Sequence, residues 1–400
     1  MAGAELIGQE EIKEVMDVLS TGVLMRYGFD RERKGVYKVQ AFEEAFAKYC
    51  GAGYGLGVTS GSAALKVALK ALDVGPGDEV IVPAFTFLAT YEAVLEVGAI
   101  PVMADIDETL NLDPRSAESR ITDCTKAIIP VHMCGAPAHI DRILEVARRN
   151  GLKVLEDNAQ GCGGSFKGKK LGTFGEMGIF SFDYNKTITT GEGGMILTDS
   201  RELYLRADWY HDHGHVHNPD RPRALEDHFI LGFNYRMNEI QGALGLAQLS
   251  KLDTVIGEQR KNKAAIRAAL AGVPGIGFRE IPDPDGDTAT FLAFNLPEAS
   301  LARKFQKVLA ENGVEAVCYR ENRWHYVPNW EHFLAQATAS STKYPFTDPC
   351  YRGKVVYRRE DIPRAEDILG RTLVMSISVR MPKERLDAIS LAVEKATKVL

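Results

Sequence analysis

The sequence has little cysteine, and its six cysteines show no CxxC spacing. It therefore predicts neither a zinc site nor a disulfide framework, and a reducing compartment fits this pattern. Long apolar runs are also lacking. No window reaches the length of a membrane span, and the acidic N-terminal residues lack the apolar region of a signal peptide. We therefore expect a cytoplasmic protein without a membrane partner.

An excess of positive charge is absent as well. The formal net charge of -6 comes without clusters of lysine and arginine, which argues against a nucleic-acid surface. The hydrophobic content of 45% suffices for a substantial core in a chain of 400 residues. We expect small molecules as the partners of this chain.

The clearest chemical signature lies in residues 181–198, SFDYNKTITTGEGGMILT. A buried strand is predicted to end near residue 182 and another to cover 195–198, so Lys186 falls in a glycine-rich connection between strands. Burial beside strands lowers the pKa of a lysine and makes its amine nucleophilic, able to form a Schiff base. For this residue alone, the alternative is a solvated loop lysine.

Two further segments carry groups that suit the same chemistry. Asp157 follows an apolar run, which places a carboxylate at the carboxyl end of a strand, where α/β sheets bind ligands. A helix N-cap is its alternative role. Residues 58–65, VTSGSAAL, lead from a strand into a helix and direct backbone N–H groups at an anion. A lysine, an acid and a phosphate site are what pyridoxal phosphate requires.

Short apolar runs alternate with helical patterns between about residues 41 and 200, which predicts a doubly wound, mostly parallel sheet. The expected strands are 79–82, 100–103, 127–131 and 153–155, and the expected helices are 140–149, 239–252, 257–271, 301–312 and 383–399. An amphipathic helix is predicted at residues 9–19, with Ile12, Val15, Met16 and Leu19 on one face, and we expect it to pack on the main domain.

A domain boundary is expected near residue 255, before a breaker-rich segment at 281–287. Residues 1–255 would form an N-terminal segment with a large cofactor-binding domain, and residues 256–400 a small α+β domain.

Taken together, the motifs resemble the DegT/StrS-type sugar aminotransferases, which are fold type I pyridoxal-phosphate enzymes. The likeness covers nearly the whole chain, through FEEAFAKYCG, VTSGSAALKVAL, GDEVIVPAFTFLAT, VHMCGAPAHID, EDNAQ, SFDYNKTITTGEGG and GFNYRMNEIQGALGLAQL. Several ordered motifs are more specific than any one of them. The resemblance implies an α/β fold with a mostly parallel seven-stranded sheet flanked by helices, a smaller C-terminal α+β domain, and pyridoxal 5'-phosphate as the cofactor.

Residue roles also follow from this resemblance. It implies that Lys186 binds the cofactor aldehyde and moves the substrate proton, and that Asp157 keeps the pyridine nitrogen protonated. Phe87 would stack on the ring, with a core position as its alternative. The other implied cofactor contacts are Gly61, Ser62, Ala63, Gln160, Ser181 and, from the neighbouring subunit, Asn234. A homodimer with shared active sites is the consequence.

The substrate contacts that we expect are Arg26, Tyr27, His213, His215, Trp324 and His325. Arg26 offers a fork for a carboxylate, with Arg236 and Arg380 as alternatives. The segment HDHGHVH at residues 211–217 looks like a metal cluster, because alternate strand residues point the same way, but acidic ligands beyond Asp212 are not evident and we expect no metal.

The segments RYGFD, DHGH, REIPDPDGD and RWHYVPNW resemble the branch that aminates C8 of oxidised Kdo, giving 8-amino-3,8-dideoxy-manno-octulosonate for lipopolysaccharide. A histidine that many members carry in the small-domain strand is absent from residues 288–294, which argues against a standard nucleotide-linked sugar. The expected reaction moves an amino group from L-glutamate to the sugar carbonyl.

Three alternatives to this reaction stay open. One is amination of a nucleotide-linked keto sugar. Another is a pyridoxal-phosphate dehydratase, although family members with that activity carry histidine in place of the lysine. The last is a transcriptional regulator, which requires a DNA-binding module, and no helix-turn-helix pattern precedes residue 40.

Overall fold

The computed structural model describes residues 2–354 and 356–400. The strands formed by these residues are β1 (Tyr54–Val58), β2 (Glu79–Pro83), β3 (Ile100–Ala104), β4 (Thr125–Ile128), β5 (Lys153–Asp157), β6 (Ser165–Phe166), β7 (Lys169–Lys170), β8 (Met177–Ser181), β9 (Gly194–Thr198), β10 (Gly277–Phe278), β11 (Phe291–Asn295) and β12 (Thr372–Ser376).

The α-helices formed by these residues are α1 (Ala2–Glu5), α2 (Gln9–Thr21), α3 (Asp30–Arg33), α4 (Lys38–Cys50), α5 (Gly61–Ala71), α6 (Leu88–Glu96), α7 (Pro114–Ser119), α8 (Ile140–Asn150), α9 (Arg201–His211), α10 (Glu239–Leu249), α11 (Leu252–Ala271), α12 (Ala299–Glu311), α13 (Glu331–Leu334), α14 (Pro363–Arg371) and α15 (Lys383–Thr397). No helix in the described ranges combines the length and the apolar composition that crossing a membrane demands.

The large sheet has the strand order β1-β9-β8-β5-β4-β2-β3. Neighbouring strands from β8 through β3 are parallel, whereas β9 runs antiparallel to both β8 and β1. Strands β2, β3, β8 and β9 are buried along their whole length, as expected where helices cover both faces of a sheet. The mostly parallel seven-stranded sheet is thereby confirmed.

The C-terminal part of the chain builds a second apolar core. Strands β10, β11 and β12 form an antiparallel sheet, and α11, α12 and α15 contribute buried residues against it. Phe294, Phe305 and Leu373 are fully buried in this core. The predicted boundary at residue 255 lies inside α11, and the division into two domains stays a prediction.

One expected helix is two helices. The pattern predicted a continuous helix over 239–252, yet α10 ends at Leu249 and α11 begins at Leu252. The Ser250 hydroxyl donates a hydrogen bond to the Ala247 carbonyl at 2.6 Å, which satisfies one of the carbonyl groups left free at the helix end. The Lys251 ammonium then bonds Glu11 at 2.8 Å and ties this corner to α2.

The N-terminal helix packs on the main domain through a face that its apolar spacing did not predict. Val18 and Glu11 are buried, and the Gln248 amide of α10 donates to Glu11 at 2.7 Å. Ile12, Met16 and Leu19 are exposed instead, with Met16 at 56%. The expected packing of this helix on the main domain is therefore confirmed, although most of its apolar stripe does not take part.

A buried carboxylate fixes the carboxyl end of β5. Glu156 is fully buried and accepts the N–H groups of Gly172 and Gly175, both at 2.9 Å. It lies 3.1 Å from the His132 Nε2 atom as well. Because a buried carboxylate is costly without donors, this network holds the loop at 172–175 against the strand end that carries Asp157.

Candidate active site

A cavity of about 470 Å³ lies beyond the carboxyl ends of the parallel strands. Its walls come from residues that end or follow β1, β2, β4, β5 and β8, and its cover comes from the C-terminal part of the chain. Of the residues predicted to bind cofactor or substrate, those that line it are Gly61, Ser62, Phe87, Asp157, Gln160, Ser181, Lys186, Trp324 and His325.

Lys186 presents an unpaired amine to this cavity. Its backbone is held by hydrogen bonds, with its N–H on the Asp183 carbonyl at 3.0 Å and its carbonyl accepting the Gly3 N–H at 3.2 Å. The Nζ atom forms no hydrogen bond or ion pair with any residue in the described ranges. Burial lowers the pKa of the Lys186 ammonium, and the charges of Asp157 and Asp183 oppose that shift. The side chain suits a nucleophile rather than a structural ion pair.

Asp157 ends β5 with a buried carboxylate. Its Oδ1 atom accepts the Ala159 N–H at 3.1 Å and its Oδ2 atom accepts the Thr90 hydroxyl at 3.0 Å. Burial raises the pKa of Asp157, while these two hydrogen bonds and the charge of Lys186 oppose the rise. No α-helix begins between residues 158 and 181, so the alternative role as a helix N-cap is wrong.

The first turn of α5 supplies donors for an anion. Ser60 is its N-cap, and the Ser60 hydroxyl accepts the Ala63 N–H at 3.1 Å. The N–H groups of Gly61 and Ser62 bond no described residue. They stand at the positive end of the helix dipole, at the cavity wall, and can receive a phosphate.

The predicted cofactor contact of Ala63 is wrong, because Ala63 does not line the cavity and its N–H already donates to the Ser60 hydroxyl at the helix cap. Gly61 has a steric role that the sequence left open. A Cβ atom at this position would lie 2.7 Å from the Cβ of Ser181, so only glycine lets the helix start against the end of β8.

Residues 322–327 form the aromatic side of the cavity. This segment runs along residues 84–88: the Thr86 N–H donates to the His325 carbonyl at 3.0 Å, and the Leu88 N–H to the Trp324 carbonyl at 3.2 Å. The half-buried Phe87 ring has its centroid 5.4 Å from that of His325 and 5.8 Å from that of Trp324. Phe87 therefore lines the cavity and also packs against the main apolar core.

His325 is neutral and presents an acceptor. Burial lowers the pKa of His325 to about 4, and the nearby Lys186 charge acts in the same direction. Its Nδ1 atom lies 3.2 Å from the Asn322 Oδ1 atom, which also accepts the backbone N–H groups of Trp324 and His325. Because this oxygen only accepts, Nδ1 carries the hydrogen and Nε2 has a free lone pair.

The Gln160 carboxamide is oriented in the same way. Its Oε1 atom accepts the Cys134 N–H at 2.9 Å. The amide NH₂ group is consequently the part of the side chain that can donate to a ligand in the cavity.

Arg26 and Tyr27 lie away from the cavity of their own chain. Arg26 is buried against Glu43, whose second oxygen accepts the Gly57 N–H at 2.6 Å. The Tyr27 ring stacks on His217 at 3.8 Å between centroids. A buried guanidinium requires a counter-charge, and the Glu43 carboxylate supplies it to the Arg26 side chain that we expected to bind a substrate carboxylate.

The other predicted contacts outside the cavity are His213, His215 and Asn234. They lie on an exposed ribbon that is formed by residues 212–215 and 228–234. His213 and Asn234 are exposed, and residues 212–215 pair with 228–234. His215 faces Glu226 at 3.2 Å. Arg236 pairs with the buried Asp212. Arg380 is also exposed, outside the cavity, so neither alternative arginine reaches it within one chain.

Three histidines of the HDHGHVH segment lie near acidic side chains: His211 and His217 are both close to Asp208, and His215 is close to Glu226. Within residues 2–354 and 356–400, no group of three or more histidine, cysteine, aspartate or glutamate side chains has the arrangement to hold a metal ion.

Several cavity residues were missed by the sequence interpretation: Thr86, Thr90, Thr290, Phe291 and Tyr319. Thr86 and Thr90 did leave a signal, since they are four residues apart at a predicted strand-to-helix junction and so lie on one helical face. The other three come from the C-terminal part, where nothing local in the sequence indicates the cavity.

The donor set fits pyridoxal 5'-phosphate. An unpaired amine, a buried carboxylate and unpaired N–H groups at a helix start share one cavity, as this cofactor requires. A sequence profile of the DegT/DnrJ/EryC1/StrS aminotransferase family matches residues 5–348. The chain belongs to this family. It is a pyridoxal-phosphate-dependent aminotransferase with the fold of the type I enzymes.

Individual relatives agree with this assignment. The aminotransferase is 47% identical over 213 residues to GDP-perosamine synthase of Caulobacter vibrioides, across 53% of this chain and 56% of that protein, so it spans about half the length of that relative. It is 33% identical to UDP-N-acetyl-3-dehydro-alpha-D-glucosamine 3-aminotransferase of Acidithiobacillus ferrooxidans, across 84% of this chain and 88% of that one. The crystal structure of 3-amino-5-hydroxybenzoic acid synthase is similar with a TM-score of 0.80 and 28% identity, across 98% and 97% of the two chains.

Proposed function

We propose that this aminotransferase moves an amino group from L-glutamate to the carbonyl carbon of a sugar. The observation that carries the proposal is the common cavity of Lys186, Asp157 and the unpaired N–H groups at the start of α5. When bound there, pyridoxal 5'-phosphate supplies an electron sink for charge that develops at the substrate carbon.

Each cavity residue has a role that follows from its chemistry. Lys186 would hold the aldehyde carbon through Nζ and, once released, would carry the proton to and from the substrate carbon. The Asp157 carboxylate would hold the ring nitrogen and stabilise its positive charge. The Gln160 amide would donate to the ring hydroxyl oxygen, and Ser181 with the α5 N–H groups would bind the phosphate.

A second copy of the chain completes this site. In the described part of the chain, Lys186 is the one lysine or arginine that lines the cavity, although a phosphate and the glutamate carboxylates must be bound there. The ribbon that carries Asn234 is exposed and apolar, with Leu231 at 95% and Phe233 at 60% exposure. An apolar stripe of this kind marks a protein interface. We place Asn234 at the phosphate of the partner subunit, in a homodimer.

Mixed dimers test this arrangement. Lys186→Ala and Asn234→Ala chains should each form impaired homodimers, because the first lacks the amine in every site and the second lacks the donor from across the interface. Co-assembled, they should regain about one competent site per dimer, as a two-fold interface implies. Activity is measured on heterodimers purified through two different affinity tags.

A mixture of Lys186→Ala with Asp157→Ala chains is the matched control and should stay inactive, since both substitutions damage sites within their own chains. If the mixed dimer of a Lys186→Ala chain with an Asn234→Ala chain stays as inactive as this control, the shared site is refuted.

The identity of the sugar divides into two candidates. The names of the two relatives above favour a nucleotide-linked keto sugar. The segment RWHYVPNW favours the C8 aldehyde of oxidised Kdo, and its Trp324 and His325 side chains line the cavity. The carboxylate of that sugar acid has no receptor in Arg26, which is paired with Glu43, so the partner subunit would have to bind it.

A single-turnover panel separates the candidates. Holoenzyme is treated with glutamate, freed of excess donor, and mixed with each sugar while the cofactor absorbance is followed. One sugar should restore the original spectrum far faster than the others, and mass spectrometry should show its aminated product. If glutamate leaves the spectrum unchanged, the donor is wrong; if neither sugar class reacts while a non-sugar ketone does, the sugar proposal fails.

A further inference from the structure

We infer that Thr86 and Thr90 are positioning residues, which form a hydroxyl relay that orients the Asp157 carboxylate and keeps it charged for its contact with the ring nitrogen of the cofactor. The inference rests on the proposed role of Asp157. It assigns the two threonines a function in cofactor electronics rather than in packing.

The geometry of the relay is continuous and buried. The Thr90 hydroxyl donates to the Asp157 Oδ2 atom at 3.0 Å, and the Thr86 and Thr90 hydroxyl oxygens are 2.8 Å apart. All three side chains are buried, with both threonines at 0% exposure. A relay shielded from water keeps its strength, since no solvent molecule competes for the carboxylate.

The direction of the hydrogen bonds follows from the number of hydrogens. A hydroxyl has one hydrogen, and an ionised carboxylate only accepts. Because Thr90 gives its hydrogen to Asp157, Thr86 must donate to Thr90. Each hydroxyl thus polarises the next toward the carboxylate, and the relay stabilises its charged form alone.

The backbone holds the relay in place. Thr86 donates its N–H to the His325 carbonyl at 3.0 Å, and Thr90 lies in the first turn of α6, whose N-terminal end favours negative charge. Phe87 lies between the two threonines and lines the cavity. The same short segment therefore sets both the stacking surface for the ring and the carboxylate for its nitrogen.

The relay counteracts the effect of burial on the protonation of Asp157. A buried carboxylate tends to take up a proton, and a neutral acid stabilises a pyridinium far less than a carboxylate does. The Ala159 N–H holds the other oxygen, Oδ1. Without the Thr90 hydroxyl, Oδ2 would keep no donor among the residues described, and the carboxyl group would be free to rotate or become protonated.

Cofactor affinity of the apoprotein tests the relay without relying on turnover. Dissociation constants are measured by tryptophan fluorescence for pyridoxal 5'-phosphate and for its analogue with carbon in place of the ring nitrogen. The ratio of the two constants reports the contact between Asp157 and the ring nitrogen. The variants are Thr90→Val, which keeps the shape and loses the hydroxyl, Thr90→Ser, which keeps the hydroxyl, and the matching pair at Thr86.

We expect wild type to prefer the natural cofactor strongly, and Thr90→Val to reduce that preference about tenfold, the usual size of a hydrogen bond to a charged group. Thr90→Ser should retain the preference for the natural cofactor, and the preference of Thr86→Val should lie between those of wild type and Thr90→Val. In an Asp157→Ala background, Thr90→Val should change the ratio no further.

The failures are distinguishable. If wild type shows no preference for the nitrogen-containing ring, the proposed role of Asp157 is wrong. If wild type shows the preference and Thr90→Val keeps it, while both constants weaken equally, Thr90 only packs and the relay is overturned. Loss in Thr90→Ser as large as in Thr90→Val would overturn it as well, because the hydroxyl is present in the serine variant.

Discussion

Replacement of Lys186 by alanine should reduce transamination by at least about 10⁴-fold, because the residue acts both as the nucleophile that holds the cofactor and as the base that moves the proton. The fold should survive. The Nζ atom bonds no residue in the described ranges, so truncation leaves no buried partner unsatisfied. Turnover with glutamate and thermal unfolding, measured on the same preparation, check both halves of the prediction.

Lys307→Ala is the matched control. Its side chain is 78% exposed and lies 3.9 Å from Glu311 at a helix surface, so its loss should alter neither activity nor stability. Wild-type turnover in Lys186→Ala would remove this lysine from the mechanism. An equal loss in both variants would point to an artefact of preparation.

Replacement of Asp157 by asparagine should lower kcat by about 10²–10³-fold, the usual effect of removing one preorganised charge from an active site. Asparagine keeps an oxygen for the Ala159 N–H and nearly the same volume, so the fold should stay intact. The absorbance of the bound cofactor should also titrate at lower pH than in wild type, since the ring nitrogen loses the charge that keeps it protonated.

Asp183→Asn provides the comparison, because Asp183 is the other aspartate that lines the cavity. Asp183 adds negative charge near Lys186, but it does not lie at the end of β5 as Asp157 does. If both substitutions lower kcat equally, general negative charge matters and not the position of Asp157. If Asp157→Asn keeps wild-type turnover, its assignment to the ring nitrogen is wrong.

The large sheet was predictable because its strands are short apolar runs bounded by turn residues. The expected runs at 79–82, 100–103 and 153–155 each became a strand that is buried except at Lys153 and is one or two residues longer at the carboxyl end. Local pattern is sufficient here, since a strand buried on both faces is mostly apolar. It did not resolve the break at Ser250, because the composition stays helical across it.

The N-terminal helix shows a different limit. Apolar spacing correctly predicted an amphipathic helix, but it cannot tell which molecule covers the apolar face. In α2 the chain itself covers Val18 and the polar Glu11, whereas Ile12 and Met16 stay exposed. Such a stripe is consistent with the proposed second subunit, whose presence no pattern within one chain reveals.

The cavity combines short-range and long-range information. Lys186 and Gly61 follow strands of the mostly parallel sheet and Asp157 ends another, so their convergence could be predicted from topology. The substrate side could not. His325 reaches the cavity because residues 322–327 pair with 84–88, more than 200 residues earlier. Arg26 lies outside the cavity and forms an ion pair with Glu43.

Reductive labelling tests the central claim most directly. Purified holoprotein is treated with borohydride, digested, and mapped by mass spectrometry for peptides that carry the pyridoxyl group. The proposed site predicts one labelled lysine, Lys186, and no label in the Lys186→Ala protein. A pyridoxyl group on any other lysine of the wild-type chain, or a wild-type chain that releases all its cofactor after reduction, would contradict it.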